Sequence, residues 1–316
     1  MAIAFMFPGQ GSQAVGMGKL LAENFASARA VFESVDQALG QKLSRIMWEG
    51  PEPELTLTEN CQPALLAVSM AVLRVLETEH GITVANTAKF VAGHSLGEYS
   101  ALAASGSFTL ADAARLLRTR GLAMQNATPV GTGAMAALLG LDFATASAVA
   151  AEAAQGEVCQ AANDNSEGQV VISGHKAAVG RAMEIAKAKG AKRAIALTVS
   201  APFHCALMQP AAQAMAEALS QVAMKAPAVP LVANVGAGPL SDPAAIRASL
   251  VAQVTATVRW RECVAYMAQH GVMQFYEIGS GRVLTGLSRK NSPDATAFHV
   301  GTPEDFAAAV SAISPG

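Results

Sequence analysis

The chain has 316 residues, a formal net charge of -2, and 52% hydrophobic and 15% charged residues. Its length predicts one large domain or a main body with one insertion, because a domain usually has about 100–200 residues. The charge argues against a nucleic-acid-binding protein, the hydrophobic content excludes an intrinsically disordered chain, and the absence of an apolar run of about 18 residues argues against a membrane span.

The first 128 residues predict the alternating strands and helices of an α/β protein. Short apolar runs that end at proline or glycine predict buried strands at Ala2–Phe7 and at residues 89–93. Longer apolar stretches predict helices at residues 60–79, 96–105 and 110–127. The main body therefore begins with strand–helix units.

Residues 129–198 predict a different order of elements, βαββαβ. Strands are expected at residues 134–141, 158–162, 169–173 and 193–199, and helices at residues 143–154 and 176–189. The turn formers in residues 163–168 predict the connection between the two middle strands. Because this order is the ferredoxin-like pattern, we predict a small domain at residues 129–198, inserted into a larger domain of residues 1–128 and 199–316.

Beyond residue 198 the pattern predicts a return to the main body. Helices are expected at residues 209–224, 244–254 and 259–269 and from about residue 302, and strands at residues 231–235 and 273–278. The whole chain therefore predicts an α/β fold with one insertion.

Cysteine and histidine spacing predicts neither a disulfide framework nor a metal site. Cys61, Cys159, Cys205 and Cys263 are far apart and form no CxxC pair, so buried free thiols are expected. No two histidines are three or four residues apart, and no HExxH motif occurs. The N-terminal residues lack the basic region and long apolar stretch of a signal peptide, which leads us to expect a cytoplasmic protein.

The sequence Gly93-His94-Ser95-Leu96-Gly97 is a GxSxG motif between a predicted strand and a predicted helix. Such a turn needs small residues two before and two after the serine, because a Cβ at either position would clash. It exposes the serine Oγ as a nucleophile, and the backbone N–H of Leu96 at the helix N-terminus can stabilise an oxyanion. The alternative is a structural turn without a catalytic role.

A nucleophilic serine requires a base, and two histidines are candidates. His204 lies in a predicted loop after the insertion. His299 lies near the C-terminus, where α/β-hydrolases place their histidine. Spacing alone does not separate the two.

The loop of residues 8–13 follows the first predicted strand and contains Gly9, Gln10 and Gly11. It is not a GxGxxG motif and lacks the Lys-Ser/Thr pair of a P-loop, so it does not predict nucleotide binding. It is either a flexible connection or a backbone that approaches a substrate closely.

Arg120 stands out by its position on a predicted helix. It is three and four residues after Leu117 and Leu116, and four before Met124, so it shares their apolar face. A buried guanidinium is costly unless a carboxylate pairs with it. The partner is either a protein Asp or Glu, or the carboxylate of a bound ligand.

Seven segments between residue 3 and about residue 290 form a recognisable series: FPGQGSQ, GHSLGEYSAL, RG-x-x-MQ, GTGAMAALLG, NDNSEGQVVISG, SAPFHCALM and YEIGSGRVLTGL. In this order they resemble the malonyl-CoA:acyl carrier protein transacylases, and also the acyltransferase domains of polyketide and fatty acid synthases. The resemblance implies an α/β-hydrolase-like large domain with a parallel sheet and an inserted ferredoxin-like small domain.

The resemblance also implies a ping-pong transfer of a malonyl group from malonyl-CoA to the phosphopantetheine thiol of acyl carrier protein, in fatty acid biosynthesis. Ser95 would carry malonate as an ester, and His204, rather than His299, would be the general base. The backbone carbonyl of Gln253 would orient His204, so that no aspartate is needed.

Binding roles follow from the same resemblance. Backbone N–H groups of Gln10 and Leu96 would form the oxyanion hole, and Arg120 would hold the free carboxylate of malonate. Phe203, directly before the base, would crowd an α-methyl group and so favour malonyl over methylmalonyl.

Acyl carrier protein and malonyl-CoA are the partners that the resemblance implies, with no cofactor, no metal and a monomeric enzyme. The carrier protein of this family is acidic, so local basic patches are candidates for binding it or CoA. These candidates are Lys187, Lys189, Lys192 and Arg193 near the end of the insertion, and Arg289 and Lys290 late in the main body. The alternative for each is an ordinary solvated charge.

Three other functions stay open. A stand-alone acyltransferase of a polyketide or malonate pathway would use the same residues. A serine thioesterase or hydrolase would release malonate to water. A non-catalytic carrier-protein binder is the third, and the intact set of Ser95, His204 and Arg120 argues against it.

Overall fold

The computed structural model describes residues 2–313. Within them, ten strands (β1–β10) are Ala2–Phe7, Ala88–Gly93, Gly133–Leu139, Cys159–Ser166, Gln169–His175, Arg193–Ala196, Leu231–Ala233, Gly238–Leu240, Val272–Ile278 and Thr296–Val300. Fifteen α-helices (α1–α15) in the same residues are Lys19–Asn24, Ala26–Leu39, Leu43–Glu49, Glu52–Thr56, Thr58–His80, Val84–Thr87, Gly97–Ala104, Leu110–Asn126, Phe143–Ala154, Lys176–Ala188, Gln209–Ser220, Pro243–Gln253, Trp260–Gln269, Val283–Asn291 and Asp305–Ile313.

The large sheet has the order β10-β9-β1-β2-β7-β8, and its strands are parallel except β8, which is antiparallel to β7. Alternate residues of β1 enter different cores: Phe5 and Phe7 face one, and Ala4 and Met6 face the other. Both faces of the strand are thus covered, which explains its unbroken apolar sequence. The predicted α/β fold with a parallel sheet is confirmed.

Helix α5 lies in the first of these cores. It is the one helix of residues 2–313 that is long and apolar enough to cross a membrane, but 78% of its apolar window is buried inside the protein. Its contacts are those of a core helix, chiefly with α8 and α2. The four cysteines are also buried, and each is a free thiol.

The small sheet is antiparallel, with the order β4-β5-β3-β6. With α9 and α10, its elements follow the chain as βαββαβ, which is the ferredoxin-like arrangement. Its core consists largely of alanine and aliphatic side chains. The two-domain fold is therefore the predicted one, while the boundaries at residues 128/129 and 198/199 stay a prediction.

One connection in the small domain was predicted wrongly. Residues 163–166 belong to β4, and only residues 167–168 form the turn. The strand continues because the large domain supplies a partner: Asn163 bridges to Val258, and the Asp164 N–H donates to the Val258 carbonyl at 2.9 Å. The Asp164 carboxylate is then buried against Arg261, with an N···O distance of 2.8 Å. These contacts join the two domains along β4.

Candidate active site

The GxSxG turn joins β2 to α7, as the sequence predicts. Ser95 has a φ of 53°, in the left-handed region. A Cβ on Gly93 would lie 1.9 Å from the carbonyl carbon of Gly97, and one on Gly97 would lie 2.2 Å from the Phe7 carbonyl oxygen. Glycine is therefore required on both sides of the serine, and the strained serine costs about 1–3 kcal/mol that the surrounding structure must offset.

His204 is the histidine that contacts the serine. Its Nε2 lies 2.7 Å from Ser95 Oγ, and its Nδ1 lies 2.9 Å from the backbone carbonyl oxygen of Gln253. With the Nδ1–H donating to that carbonyl, the Nε2 lone pair faces the serine hydroxyl. Burial, together with the nearby Arg120 charge, lowers the pKa of His204 to about 3. The imidazole is therefore neutral at neutral pH and can accept a proton.

Two other histidines, His299 and His94, have different partners. His299 Nε2 lies 3.0 Å from Asp305 Oδ1 and lines a separate cavity. His94 Nε2 lies 2.8 Å from Asn165 Oδ1. The sequence spacing did not choose between His204 and His299. The structure places His204, and not His299, in contact with Ser95.

Arg120 is 1% exposed and points into the same site. Its guanidinium donates to Gln62 Oε1 at 2.9 Å, to Gln253 Oε1 at 2.8 Å and to Ser95 Oγ at 3.1 Å. Within residues 2–313 it forms no ion pair, and its Nε–H has no acceptor. Burial lowers the pKa of Arg120 from its usual value, but a guanidinium still stays charged. No carboxylate of residues 2–313 contacts the guanidinium directly, which favours a ligand carboxylate as the direct partner.

Two backbone N–H groups line the site as the oxyanion hole requires. Gln10 and Leu96 both border the cavity, and neither N–H donates to an acceptor within the described part of the chain. The loop before Gln10 approaches the turn so closely that a Cβ on Gly9 would lie 2.8 Å from the His94 carbonyl oxygen. The loop therefore packs against the nucleophile turn, while a close approach of its backbone to a substrate stays a prediction.

A buried hydrogen-bond network holds the serine from below. Asn234 Oδ1 accepts the Ser95 N–H at 2.8 Å, and Asn234 Nδ2 donates to the Gly93 carbonyl at 2.8 Å. The Asn234 N–H donates to Glu98 Oε1 at 2.5 Å, and Gln253 Nε2 donates to Glu98 Oε2 at 2.7 Å. Burial raises the pKa of Glu98 to about 7, against the opposing effects of these donors and of Arg120.

Three groups of this network were not predicted from the sequence: Glu98, Asn234 and the side chain of Gln253. Glu98 carried a weak local signal, since it is a charged residue three positions after the nucleophile on a helix of small and apolar residues. Asn234 carried none, because it reaches Ser95 only through the pairing of β7 with β2.

The site opens into a cavity of about 350 Å³ between the two domains. The large domain contributes Gln62, Met124 and Phe203 to its lining, besides Ser95, Arg120 and His204. The small domain contributes Met135, Asn163, Asn165 and Val171. Phe203 is 8% exposed and lies beside the serine and its base, as its sequence position predicts.

None of the six basic candidate residues lines this cavity. Lys187 pairs with Glu184, and Lys189 with Glu152, which favours ordinary solvated charges for these two. Lys192 and Arg193 are exposed at the start of β6. Outside the small domain, Arg289 donates to the Ala297 carbonyl at 3.1 Å, and Lys290 Nζ lies 3.4 Å from Gln169 Oε1. A role for the last four in binding CoA or a carrier protein stays a prediction.

Comparisons with known proteins identify the family of this chain. Residues 4–294 match the family described as acyl transferase domain. The malonyl CoA-acyl carrier protein transacylase of Escherichia coli strain K12 is 47% identical over 307 residues, which cover 97% of this chain and 98% of that protein.

Solved structures give the same result. The acyl-carrier-protein-S-malonyltransferase of Bartonella henselae is 57% identical, with a TM-score of 0.97 and 99% of each chain covered. A malonyl-transacylase in complex with a type II PKS acyl-carrier protein is 43% identical, with a TM-score of 0.95, 99% of this chain covered and 100% of that one. The resemblance inferred from the seven segments is confirmed.

Proposed function

This chain belongs to the acyl transferase family, and on that premise we propose that it transfers malonyl groups from malonyl-CoA to acyl carrier protein for fatty acid synthesis. The observation that carries the proposal is the meeting of Ser95, His204 and a buried Arg120 that no carboxylate of the described residues contacts directly. A nucleophile beside a guanidinium that has no direct ion pair suits an acyl group that itself bears a carboxylate.

In the loading half-reaction, Ser95 Oγ attacks the thioester carbonyl carbon while His204 Nε2 takes the hydroxyl proton. The Gln253 carbonyl accepts the Nδ1–H and stabilises the imidazolium that forms. The backbone N–H groups of Gln10 and Leu96 stabilise the oxyanion. The C–S bond then breaks, CoA leaves with the proton from His204, and malonate remains as an ester on Ser95.

In the transfer half-reaction, the phosphopantetheine thiol of the carrier protein gives its proton to His204 and attacks the ester carbonyl. The bond from the carbonyl carbon to Ser95 Oγ breaks, and His204 returns the proton to the serine. Every proton and bond in this sequence balances with side chains alone, so we propose an enzyme that needs no cofactor or metal. Water has to be kept from the ester until the thiol arrives.

Arg120 and Phe203 would select the acyl group. The Arg120 guanidinium would hold the malonyl carboxylate, and its place 3.1 Å from Ser95 Oγ supports this role. The Phe203 ring would exclude an α-methyl group, an effect worth about 1–3 kcal/mol. Malonyl would thus be preferred over acetyl by charge and over methylmalonyl by shape.

The proposal also covers how the enzyme binds its partners, its oligomeric state and its location. The exposed Lys192, Arg193, Arg289 and Lys290 would attract an acidic carrier protein or the phosphates of CoA. We further propose that the enzyme acts as a monomer in the cytoplasm, where malonyl-CoA and carrier protein would meet it. Size-exclusion chromatography with light scattering tests the monomer.

A carrier protein of polyketide synthesis is a second candidate acceptor. The support for it is the similar malonyl-transacylase in complex with a type II PKS acyl-carrier protein. The chemistry at Ser95 is the same for both carriers, so only the acceptor surface distinguishes them.

The test is an assay of the purified protein with malonyl-CoA and either of two holo carrier proteins, one from fatty acid and one from polyketide synthesis. We expect malonylated fatty acid carrier to form, with little free malonate, and no product from the Ser95→Ala variant. Faster malonylation of the polyketide carrier would favour the second candidate. Release of malonate without carrier malonylation would identify a hydrolase and overturn the proposal.

A further inference from the structure

Glu98 and Arg120 are opposite charges buried in the same network but not in direct contact. Arg120 is 1% exposed and Glu98 is fully buried. The side-chain amide of Gln253 lies between them: its Oε1 accepts from Arg120 at 2.8 Å, and its Nε2 donates to Glu98 at 2.7 Å. Glu98 also lies in the first turn of α7, where the helix dipole favours a negative charge. One amide therefore connects the two charges.

We propose that Glu98 is the internal counter-charge of Arg120, and that it takes up a proton from solvent when a malonyl group, but not an acetyl group, is loaded onto Ser95. Glu98 does not contact the acyl group in this proposal. It acts through Gln253 and Arg120 as a positioning residue. The inference rests on the proposed function, because it needs the malonyl carboxylate to bind Arg120.

Charge balance in the buried site is the reason why Glu98 should take up a proton on malonyl loading. Before loading, the positive Arg120 and the negative Glu98 offset each other. An acetyl ester leaves that balance unchanged. A malonyl ester brings a second carboxylate to one guanidinium, and two carboxylates in one buried site do not both stay ionised easily. Protonation of Glu98, from carboxylate to carboxylic acid, restores the balance.

The groups that face Glu98 do not titrate in the neutral range. Arg120 stays charged, Tyr99 on the same helix has its pKa raised to about 12 by burial, and His204 has its pKa lowered to about 3. Burial also raises the pKa of the Cys263 thiol on α13. His94, which faces His204, has its pKa lowered by burial. Glu98 is left as the group of this network whose ionisation changes between pH 6 and 8.5.

The expected consequence is a pH-dependent preference between acyl groups. At pH 6 Glu98 is largely protonated and does not oppose the malonyl carboxylate, whereas at pH 8.5 it is ionised and does. The ratio of malonyl to acetyl loading rates should therefore fall roughly tenfold from pH 6 to pH 8.5, since neighbouring carboxylates shift each other's pKa by about one unit. Because both acyl donors carry the same CoA, any ionisation of CoA affects both loading rates equally and cancels in the ratio of malonyl to acetyl loading.

The experiment measures the rate constants of loading from malonyl-CoA and acetyl-CoA by rapid quench and intact-protein mass spectrometry across this pH range. In the Glu98→Gln variant we expect a constant ratio. The matched control is Glu277→Gln, which changes another fully buried glutamate that binds backbone N–H groups of α14 and has no contact with Arg120. The control should keep the pH-dependent ratio of the unchanged protein.

A second measurement does not depend on the folding of a variant. In weak buffer at pH 7.5, a pH indicator should show more proton uptake per malonyl adduct than per acetyl adduct on the unchanged protein. Equal uptake, or a loading ratio that stays constant with pH, overturns the proposal for Glu98. Absence of any malonyl adduct at all pH values is a different result, because it contradicts the proposed function itself.

Discussion

The two domains contribute different kinds of residue to the cavity. The large domain supplies a polar floor of six hydrogen-bonded side chains: Ser95, Glu98, Arg120, His204, Asn234 and Gln253. The small domain supplies a wall that includes Met135, Asn163, Asn165 and Val171. The floor thus carries the chemistry and the wall limits the space, so substitutions in the two regions should affect different properties.

Removal of the Arg120 charge from the polar floor should have the largest effect on malonyl loading. We expect Arg120→Ala to reduce malonyl loading by on the order of 10²–10³-fold, because loss of one partner of a buried charge pair costs about 3–5 kcal/mol. Acetyl loading should fall far less. The control is Arg118→Ala, which removes a half-buried arginine of the same helix that bonds to Gln41 instead.

Equal losses for malonyl and acetyl groups in Arg120→Ala would contradict the assignment of this arginine to the ligand carboxylate. Rate constants for both acyl-CoA donors, measured side by side on each variant, provide the comparison.

Weakening the attachment of the small-domain wall should change stability more than chemistry. Asp164→Asn removes the ion pair between the buried Asp164 and the half-buried Arg261, and it should lower the free energy of unfolding by about 1–3 kcal/mol. Loading rates well below the melting temperature should change little. Glu152→Gln, which breaks the exposed pair with Lys189, is the control and should leave the melting temperature nearly unchanged. A large loss of activity at unchanged stability would show that the wall takes part in the chemistry.

Phe203 lies next to the catalytic pair, and its substitution should alter acyl selectivity. We expect Phe203→Ala to raise methylmalonyl loading relative to malonyl by roughly tenfold, within the range of about 1–3 kcal/mol for one methyl group. Phe143→Ala, at the edge of the small-domain core, serves as the control. An unchanged ratio would mean that Phe203 only packs between the domains.

The neutral state of His204 should be visible in the pH dependence of acetyl loading, where no second carboxylate intervenes. Its pKa is lowered to about 3, so the base stays unprotonated and active as the pH falls from 8 to 5.5. The rate constant should change by less than about threefold, whereas a histidine with an ordinary pKa would lose about tenfold at pH 5.5. A decline centred near pH 6.5 would show that burial does not control this histidine.

The smallest effect should come from His299, which lies outside the polar floor. His299→Asn removes the pair with Asp305 and should cost about 1 kcal/mol of stability or less, without a change in loading. A loss of acyl-enzyme formation in this variant would support His299, instead of His204, as the general base.

In both domains, the sequence predicted elements with local signals better than elements that depend on contacts elsewhere in the chain. Ala2–Phe7, helix Phe143–Ala154 and the GxSxG turn were predictable because their signals lie in consecutive residues. The extension of β4 was not, because its partner Val258 is far away in the chain. Helix α14 and strand β10 were also missed. The first turn of α14 is held by the side chain of Glu277 at the end of β9, and the residue before the helix, Arg282, provides no side-chain cap to recognise.

Within the site, the residues with a local sequence signal were predicted correctly as neighbours of the cavity. Ser95 has a motif and Arg120 shares an apolar helix face. His204 could not be separated from His299 by spacing, and only the resemblance to a family chose it. Asn234 was missed because the contact that reveals its role spans 139 residues.

The most direct test of the polar floor is to follow the acyl group itself. The protein is mixed briefly with malonyl-CoA, the adduct is mapped by peptide mass spectrometry, and holo acyl carrier protein is then added. We expect one malonyl group on Ser95 that moves to the carrier protein and leaves the enzyme unmodified. An adduct on another residue, or one that does not pass from Ser95 to the carrier protein, would contradict the mechanism.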